Sequence, residues 1–232
     1  MKTAIVPALV LGLLAVPAHA EWKGKGEAGV VLARGNTDTD TANVKLDMAT
    51  ERDQWKHSFG IAALRASDHG DLTAERYGAF GQSDYKLTER SYWFGGLRYE
   101  KDKFSGFDYQ ASATTGYGYK FIDTEATKFS GQVGAGYRRS KNAVTGATDG
   151  KAIATGQLDY EHAFNASTKL IDRLRVESGS DNTFASNELA LQVKMSDRLA
   201  LAVGLAVRHN TDPPAGRKQT DTLTTLNLVV AL

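Results

Sequence analysis

Apolar residues recur at every second position along most of the chain. Leu199, Leu201, Val203, Leu205 and Val207 alternate with Ala200, Ala202, Gly204, Ala206 and Arg208, the period of a strand whose two faces meet different surroundings. The same beat sets Tyr109, Ala111, Ala113, Thr115, Tyr117, Tyr119 and Phe121 against Gln110, Ser112, Thr114, Gly116, Gly118 and Lys120. Phe129, Val133, Ala135 and Tyr137 oppose Lys128, Ser130, Gln132 and Arg138, and Val44, Leu46 and Met48 oppose Lys45 and Asp47. Leu189, Leu191, Val193 and Met195 oppose Glu188, Gln192 and Lys194. Each predicted strand has one apolar and one polar side.

Turn-forming residues interrupt this alternation at Gly35-Asn36, Arg52-Asp53, Ser67 to Asp71, Thr88-Glu89, Asp102 to Ser105 and Asp123 to Ala126. Further breaks fall at Ser140 to Gly150, Asn165-Ala166, Gly179 to Asn182, Ser196-Asp197 and Asn210 to Lys218, all rich in Gly, Asn, Asp and Ser. Eleven breaks separate about twelve strands. The even-numbered breaks are tight and the odd-numbered ones include every long loop. This spacing predicts an all-β fold, a single antiparallel transmembrane β-barrel with short periplasmic turns, longer extracellular loops and both termini on the short-turn side.

A soluble sandwich or a lipocalin-like barrel shares the alternation, because period two does not say which face meets water. Three features favour the membrane. Trp22, Trp55 and Trp93 fall where odd-numbered strands leave the short-turn rim, with Tyr85, Phe121, Phe129 and Phe164 at the same level, the place of an interfacial aromatic girdle. The polar face carries Lys, Arg, Asp, Glu, Gln, Ser and Gly, too polar for a soluble core and suited to a wet lumen. Leu226, Leu228, Val230 and Leu232 alternate up to the carboxyl end.

The first twenty residues add an address. Met1-Lys2, the apolar stretch Ala4 to Val16 and the A-x-A site Ala18-His19-Ala20 read as a secretory signal peptide over 1–20, cleaved after Ala20 and leaving a barrel over 21–232. The apolar stretch is shorter than the roughly 20 residues a spanning helix needs. The expected destination is the outer membrane of a Gram-negative bacterium. Its expected partners are outer-membrane lipid, lipopolysaccharide, the barrel-assembly machinery during biogenesis, and small solutes or ions.

Composition narrows the chemistry. Lys and Arg number 28 against 27 Asp and Glu, a formal charge of +1; this balance gives no footprint for nucleic acid. The absence of cysteine removes disulfides, thiol nucleophiles and thiolate metal sites. No cofactor or catalytic residue is predicted. His57, His69, His162 and His209 lie in no recognised catalytic motif, so an outer-rim hydrolase built on His209, Asn210, Ser178 and Ser180 is a minor alternative. Glu177, Asp181 and Asn182 form an oxygen-rich loop of a kind that suits Ca²⁺ or Mg²⁺, but without the EF-hand pattern, and no metal site is predicted.

Several runs carry a resemblance. Arg65-Ala66-Ser67-Asp68, Thr73-Ala74-Glu75-Arg76-Tyr77, Asp84 through Tyr92 (DYKLTERSY) and Leu97 through Asp102 (LRYEKD) resemble the salt-induced outer-membrane protein family, often called YdiY-like. So do Gly116-Tyr117-Gly118-Tyr119, Gly136 through Ser140 (GYRRS), Val176 through Thr183 (VESGSDNT) and Val207-Arg208-His209-Asn210. The resemblance covers nearly all of the chain after residue 20 and implies an outer-membrane barrel. The family's name records a response to salt and assigns no activity. One departure bears on biogenesis: outer-membrane barrels commonly end in an aromatic residue read by the assembly machinery, and Leu232 stands there instead.

If the alternation fixes the faces, Lys45, Asp47, Arg76, Asp84, Arg98, Glu100, Lys120, Arg138, Asp159, Glu161, Arg173, Arg175, Glu188, Lys194 and Arg208 project into the lumen. Rings of one sign make strongly selective pores, whereas intermixed signs can pair across a narrow barrel. Ser112, Thr114, Gly116, Gly118, Ser130, Gly134 and Gly136 present small inward positions on the sixth and seventh strands, either a slot or room for arginines from facing strands. The expected function is a narrow or gated passage for small solutes or ions in osmotic or salt stress. The alternative is a structural or surface-interaction barrel without transport.

Overall fold

β-Branched and aromatic residues at alternating positions, cut by Gly, Asn, Asp and Ser, give twelve strands and no helix among the described residues, which in this computed structural model are 22–33, 39–103, 105–213 and 218–232. The expected signal peptide over 1–20 and the break at Gly35-Asn36 lie outside them. The strands are β1 (Trp22–Ala33), β2 (Thr39–Arg52), β3 (Trp55–Asp68), β4 (Asp71–Lys86), β5 (Ser91–Asp102) and β6 (Phe107–Asp123). There follow β7 (Thr127–Asn142), β8 (Thr148–Ala163), β9 (Thr168–Gly179), β10 (Thr183–Lys194), β11 (Leu199–Asn210) and β12 (Thr220–Ala231). Each pairs antiparallel with its neighbours, and β1 pairs with β12 to close the ring. Closure matters physically, since an open edge in hydrocarbon leaves backbone groups unpaired at several kcal/mol each.

Residues opposite one another across strands share a face. One inward row runs Asp47, Gly60, Phe80, Arg98, Ser112, Arg138 and Lys151 from β2 to β8. The outward rows are apolar: Val44, Ile61, Leu97, Val133, Leu158, Leu191 and Val203 are all exposed. A water-soluble protein would not present so continuous an apolar wall. No side chain among the described residues is fully buried, and the one buried apolar cluster is Ala200, Ala202 and Val229, so the interior is not a dry core. One polar pair breaks the outer wall: Asn187 donates to Asp172 at 2.6 Å, between Leu174 and Leu189 on the face that alternation assigns to lipid.

The aromatic level expected near the short turns is a chain of ring contacts. Trp22 meets Phe59 edge-on at 5.7 Å and Trp55 meets Tyr85 at 5.0 Å. Tyr119, Phe121, Phe129, Tyr160, His162 and Phe164 then follow one another from β6 to the end of β8 at 5.0–6.4 Å. Trp93 donates its indole N–H to Thr115 at 2.9 Å. Rings with an apolar body and a polar tip suit the boundary between hydrocarbon and water. His57 and His162 belong to this belt: one stacks on Trp55 and bonds Ser83, the other stacks on Tyr160 and bonds Thr127.

The inward small residues of β6 and β7 have an unexpected occupant. At Gly116, Gly118 and Gly134 they leave neither an open slot nor a bay for arginines, whereas Ser112 and Thr114 border a small cavity with Arg98 and Arg175. A Cβ on Gly118 would strike the ring of Tyr92, and one on Gly116 or Gly134 would press on Phe94 and on the opposite backbone. The glycines let two β5 aromatics lie flat against the β6–β7 wall. Gly116→Val is therefore expected to destabilise the barrel by roughly 1–3 kcal/mol through overpacking. Heat-modifiable migration of the refolded protein reads this as a lower folded yield; an unchanged yield would mean the wall is looser than described.

Candidate functional site in the barrel lumen

Strand parity carries the charged residues inward, and cross-strand geometry decides which of them meet. On β9 and β8, Arg173 donates to Asp159 at 2.6 Å. Arg175 donates to Glu177, two residues along the same face, at 2.5 Å. On β4 and β5, Arg76 grips the buried carboxylate of Asp102 at 2.7 Å. Lys45 reaches Glu188 at 3.3 Å and its strand neighbour Asp47 at 3.6 Å. Arg208 donates to Glu100. That last pair joins β11 to β5, which lie six strands apart in a ring of twelve, so it spans the lumen.

The waist around this bridge is lined by rings as well as charges. Phe184 packs between two guanidiniums, with Arg208 at 4.8 Å and Arg175 at 5.3 Å from its centroid, a cation–π arrangement that holds both arginines in place. Arg98 lies over Phe80 at 5.7 Å. Tyr92 accepts from Gln132 at 3.0 Å. Phe80, Tyr92, Phe94, Phe184 and Glu177 were not among the residues expected in the lumen. Parity would have found the four rings, since Phe80 shares its face with Arg76 and Asp84, Tyr92 and Phe94 with Arg98, and Phe184 with Glu188.

Two larger spaces flank the waist. Towards the short turns opens a cavity of about 600 Å³ bordered by Asp47, Lys56, Asp84, Lys120, Asp159 and Arg173, among others. Along the β2–β4 and β10–β12 wall runs another of about 260 Å³, reaching Lys45, Arg76, Glu100, Glu188 and Arg208. Asp84 accepts from Gln82 at 2.8 Å. At the short-turn rim Lys120 pairs with Asp123 at 3.0 Å, Glu161 with Lys169 at 3.3 Å, and Lys194 with Asp197 at 2.9 Å. In that last turn the Lys194 hydrogen bond holds the Asp197 carboxyl below the usual carboxylate range. These three stand apart from the central network.

Arg138 is a special case. It is 4% exposed and reaches out of the lumen to the β9–β10 loop, donating to Asp181 at 3.2 Å and to the Asn182 carbonyl at 3.1 Å. The oxygen-rich loop thus engages Nη2 of this guanidinium, whose Nη1 is buried without a partner, while Glu177 serves Arg175, and no cluster fit for a metal ion occurs among the described residues. The Asn182 side chain ties in Asn210, Thr211 and Asp212 at 2.9–3.2 Å. His209 bonds Thr220 and Ser178 bonds Thr183, each at 2.9 Å, so these two are not joined as nucleophile and base.

A closed ring with an apolar wall, an aromatic belt and a charged, cavity-bearing interior is a transmembrane β-barrel of the outer-membrane type. Two solved structures share the fold: the NanC porin, with a TM-score of 0.53 and 10% identity over 91% of this chain and 98% of that one, and the COG4313 outer membrane channel from Pseudomonas putida F1, with a TM-score of 0.53 and 11% identity over 99% and 100%. The chain belongs to the family described as "Protein of unknown function, DUF481", whose model matches residues 26–232. It is 28% identical over 216 residues to the uncharacterized protein YdiY of Escherichia coli (strain K12), covering 91% of this chain and 84% of that protein. The resemblance read from the sequence motifs is to this same family.

Proposed function

We propose that the protein resides in the outer membrane as a non-catalytic barrel and provides a narrow, gated passage for small solutes or ions. The observation that supports this most strongly is the layout of the lumen: wet cavities on either flank of a waist, with Arg98 bordering both and the Glu100–Arg208 bridge across it. Mixed signs imply weak charge selectivity. Lipid and lipopolysaccharide would surround the apolar wall, and the barrel-assembly machinery would act during biogenesis. A role in salt stress rests on the family resemblance.

A structural barrel without transport is the second reading. The cross-lumen bridge favours it, because a tie between opposite walls also braces the ring. Arg173→Ala with Arg175→Ala separates the two. Removing both arginines frees Asp159 and Glu177, so reversal potentials across a salt gradient in planar bilayers are expected to shift towards cations. An unchanged potential with a conducting parent removes these arginines from the pathway. A parent that never conducts supports the brace.

A further inference from the structure

The central cations are held by carboxylates: Arg76 by Asp102, Arg173 by Asp159, Arg175 by Glu177, Arg208 by Glu100 and Lys45 by Glu188. Arg138 keeps one buried Nη1 without a partner although Asp181 pairs with its Nη2, and Arg98 alone of these cations has no carboxylate partner at all. Among the described residues its guanidinium makes no hydrogen bond or ion pair, and it lies over the face of Phe80. The reason lies in the register. Asp47, Gly60, Phe80 and Arg98 stand in one inward row, and the Phe80 ring lies over Gly60 against Asp47. The ring therefore stands between the guanidinium and a carboxylate whose Oδ1 is itself buried without a partner.

Arg98 also sits where the lumen spaces converge. It borders the 600 Å³ and 260 Å³ cavities and a smaller one of about 60 Å³ at the waist. Ser112, its direct cross-strand neighbour, Thr114 and Thr155 line the small cavity with it, together with Gln82, Gln132, Gln157 and the paired Arg175 and Glu177, and Phe94 is an apolar wall. A fork of unused N–H donors next to hydroxyl donors, in a space of this size, is suited to a small anion.

Resting on the passage reading, we propose that Arg98, with Ser112 and Thr114, forms a binding site for one small monovalent anion, a halide or a short carboxylate, at the waist. Charge count sets the valence. One unpaired guanidinium balances one negative charge, whereas a dianion would add a surplus beside Glu100, Glu177 and Glu188, each already engaged by its own cation. Volume sets the size, since a sugar acid exceeds the waist cavity. The site holds an anion where the lumen cavities meet, so a permeating anion would pause there and a permeating cation would not.

The test measures binding at equilibrium, separately from conduction. The full protein is refolded in detergent, and its thermal unfolding midpoint is titrated with sodium chloride or sodium formate against sodium gluconate at equal ionic strength. A ligand bound to the folded state raises the midpoint saturably. The parent is expected to show this with chloride and formate, and Arg98→Gln is expected to lose it while keeping heat-modifiable migration. Equal titrations in parent and variant overturn the site. Should the variant not refold, chloride-35 line widths on the parent decide: broadening reversed by formate along a one-site curve supports the site, and a linear, non-saturating response overturns it. Bilayer recordings on the same samples keep the two claims apart. A silent parent that binds chloride through Arg98 leaves the site and removes the passage; a conducting parent whose chloride titration is the same in Arg98→Gln leaves the passage and removes the site.

Discussion

Single-channel conductance is expected to rise several-fold when Glu100 and Arg208 are replaced together by alanine. The pair ties opposite walls of the ring, so its loss removes the longest obstruction across the waist. Both partners must go. Glu100→Ala alone leaves Arg208 beside Arg175 on the Phe184 ring with no carboxylate of its own, and in a half-buried pair one unpaired charge is costlier than the loss of both partners. The single variant is therefore expected to refold poorly and the double variant well. Conductance unchanged in a well-folded double variant would place the constriction at another level.

The second large effect falls on the outer wall. Val203 is 53% exposed near the middle of β11, flanked on the same face by Leu201 and Leu205. Val203→Arg puts a charge into hydrocarbon at a cost of roughly 2 to 4 kcal/mol near the midplane, which corresponds to a loss of folded protein of about thirty- to a thousand-fold at equilibrium. Folding into bilayers, followed by heat-modifiable migration, is expected to fall sharply, whereas Ala206→Ser on the inward face of the same strand, beside the 260 Å³ cavity, should be tolerated far better. Normal insertion of Val203→Arg would show that this face does not meet lipid.

Much of the fold was legible because a barrel is a repetitive object. A period of two assigns every residue to a face once a strand is located, and the turn clusters located the strands: the breaks at Arg52-Asp53, Thr88-Glu89, Asp123 to Ala126, Asn165-Ala166 and Ser196-Asp197 are the connections between β2 and β3, β4 and β5, β6 and β7, β8 and β9, and β10 and β11. Register within hairpins follows from such turns. Side-chain partnership does not. Glu100 and Arg208 are 108 residues apart and meet only because closure of twelve strands brings β5 opposite β11. The use of the β6–β7 glycines depended on noticing that Tyr92 and Phe94 share parity with Arg98, which a search for charges passed over. The loop at Asp181 and Asn182 offered oxygens of a kind that suits a cation without the pattern of a metal site, and the cation that meets them, the Arg138 guanidinium, comes from β7.

Single-channel recording of the purified parent in planar bilayers tests the account most directly. A waist crossed by the Glu100–Arg208 bridge and lined by paired charges predicts small, discrete, repeatable steps with weak charge selectivity, enlarged when both bridge residues are removed. A well-folded parent that stays silent across voltages and salts, together with an equally silent Glu100→Ala, Arg208→Ala variant, would contradict it.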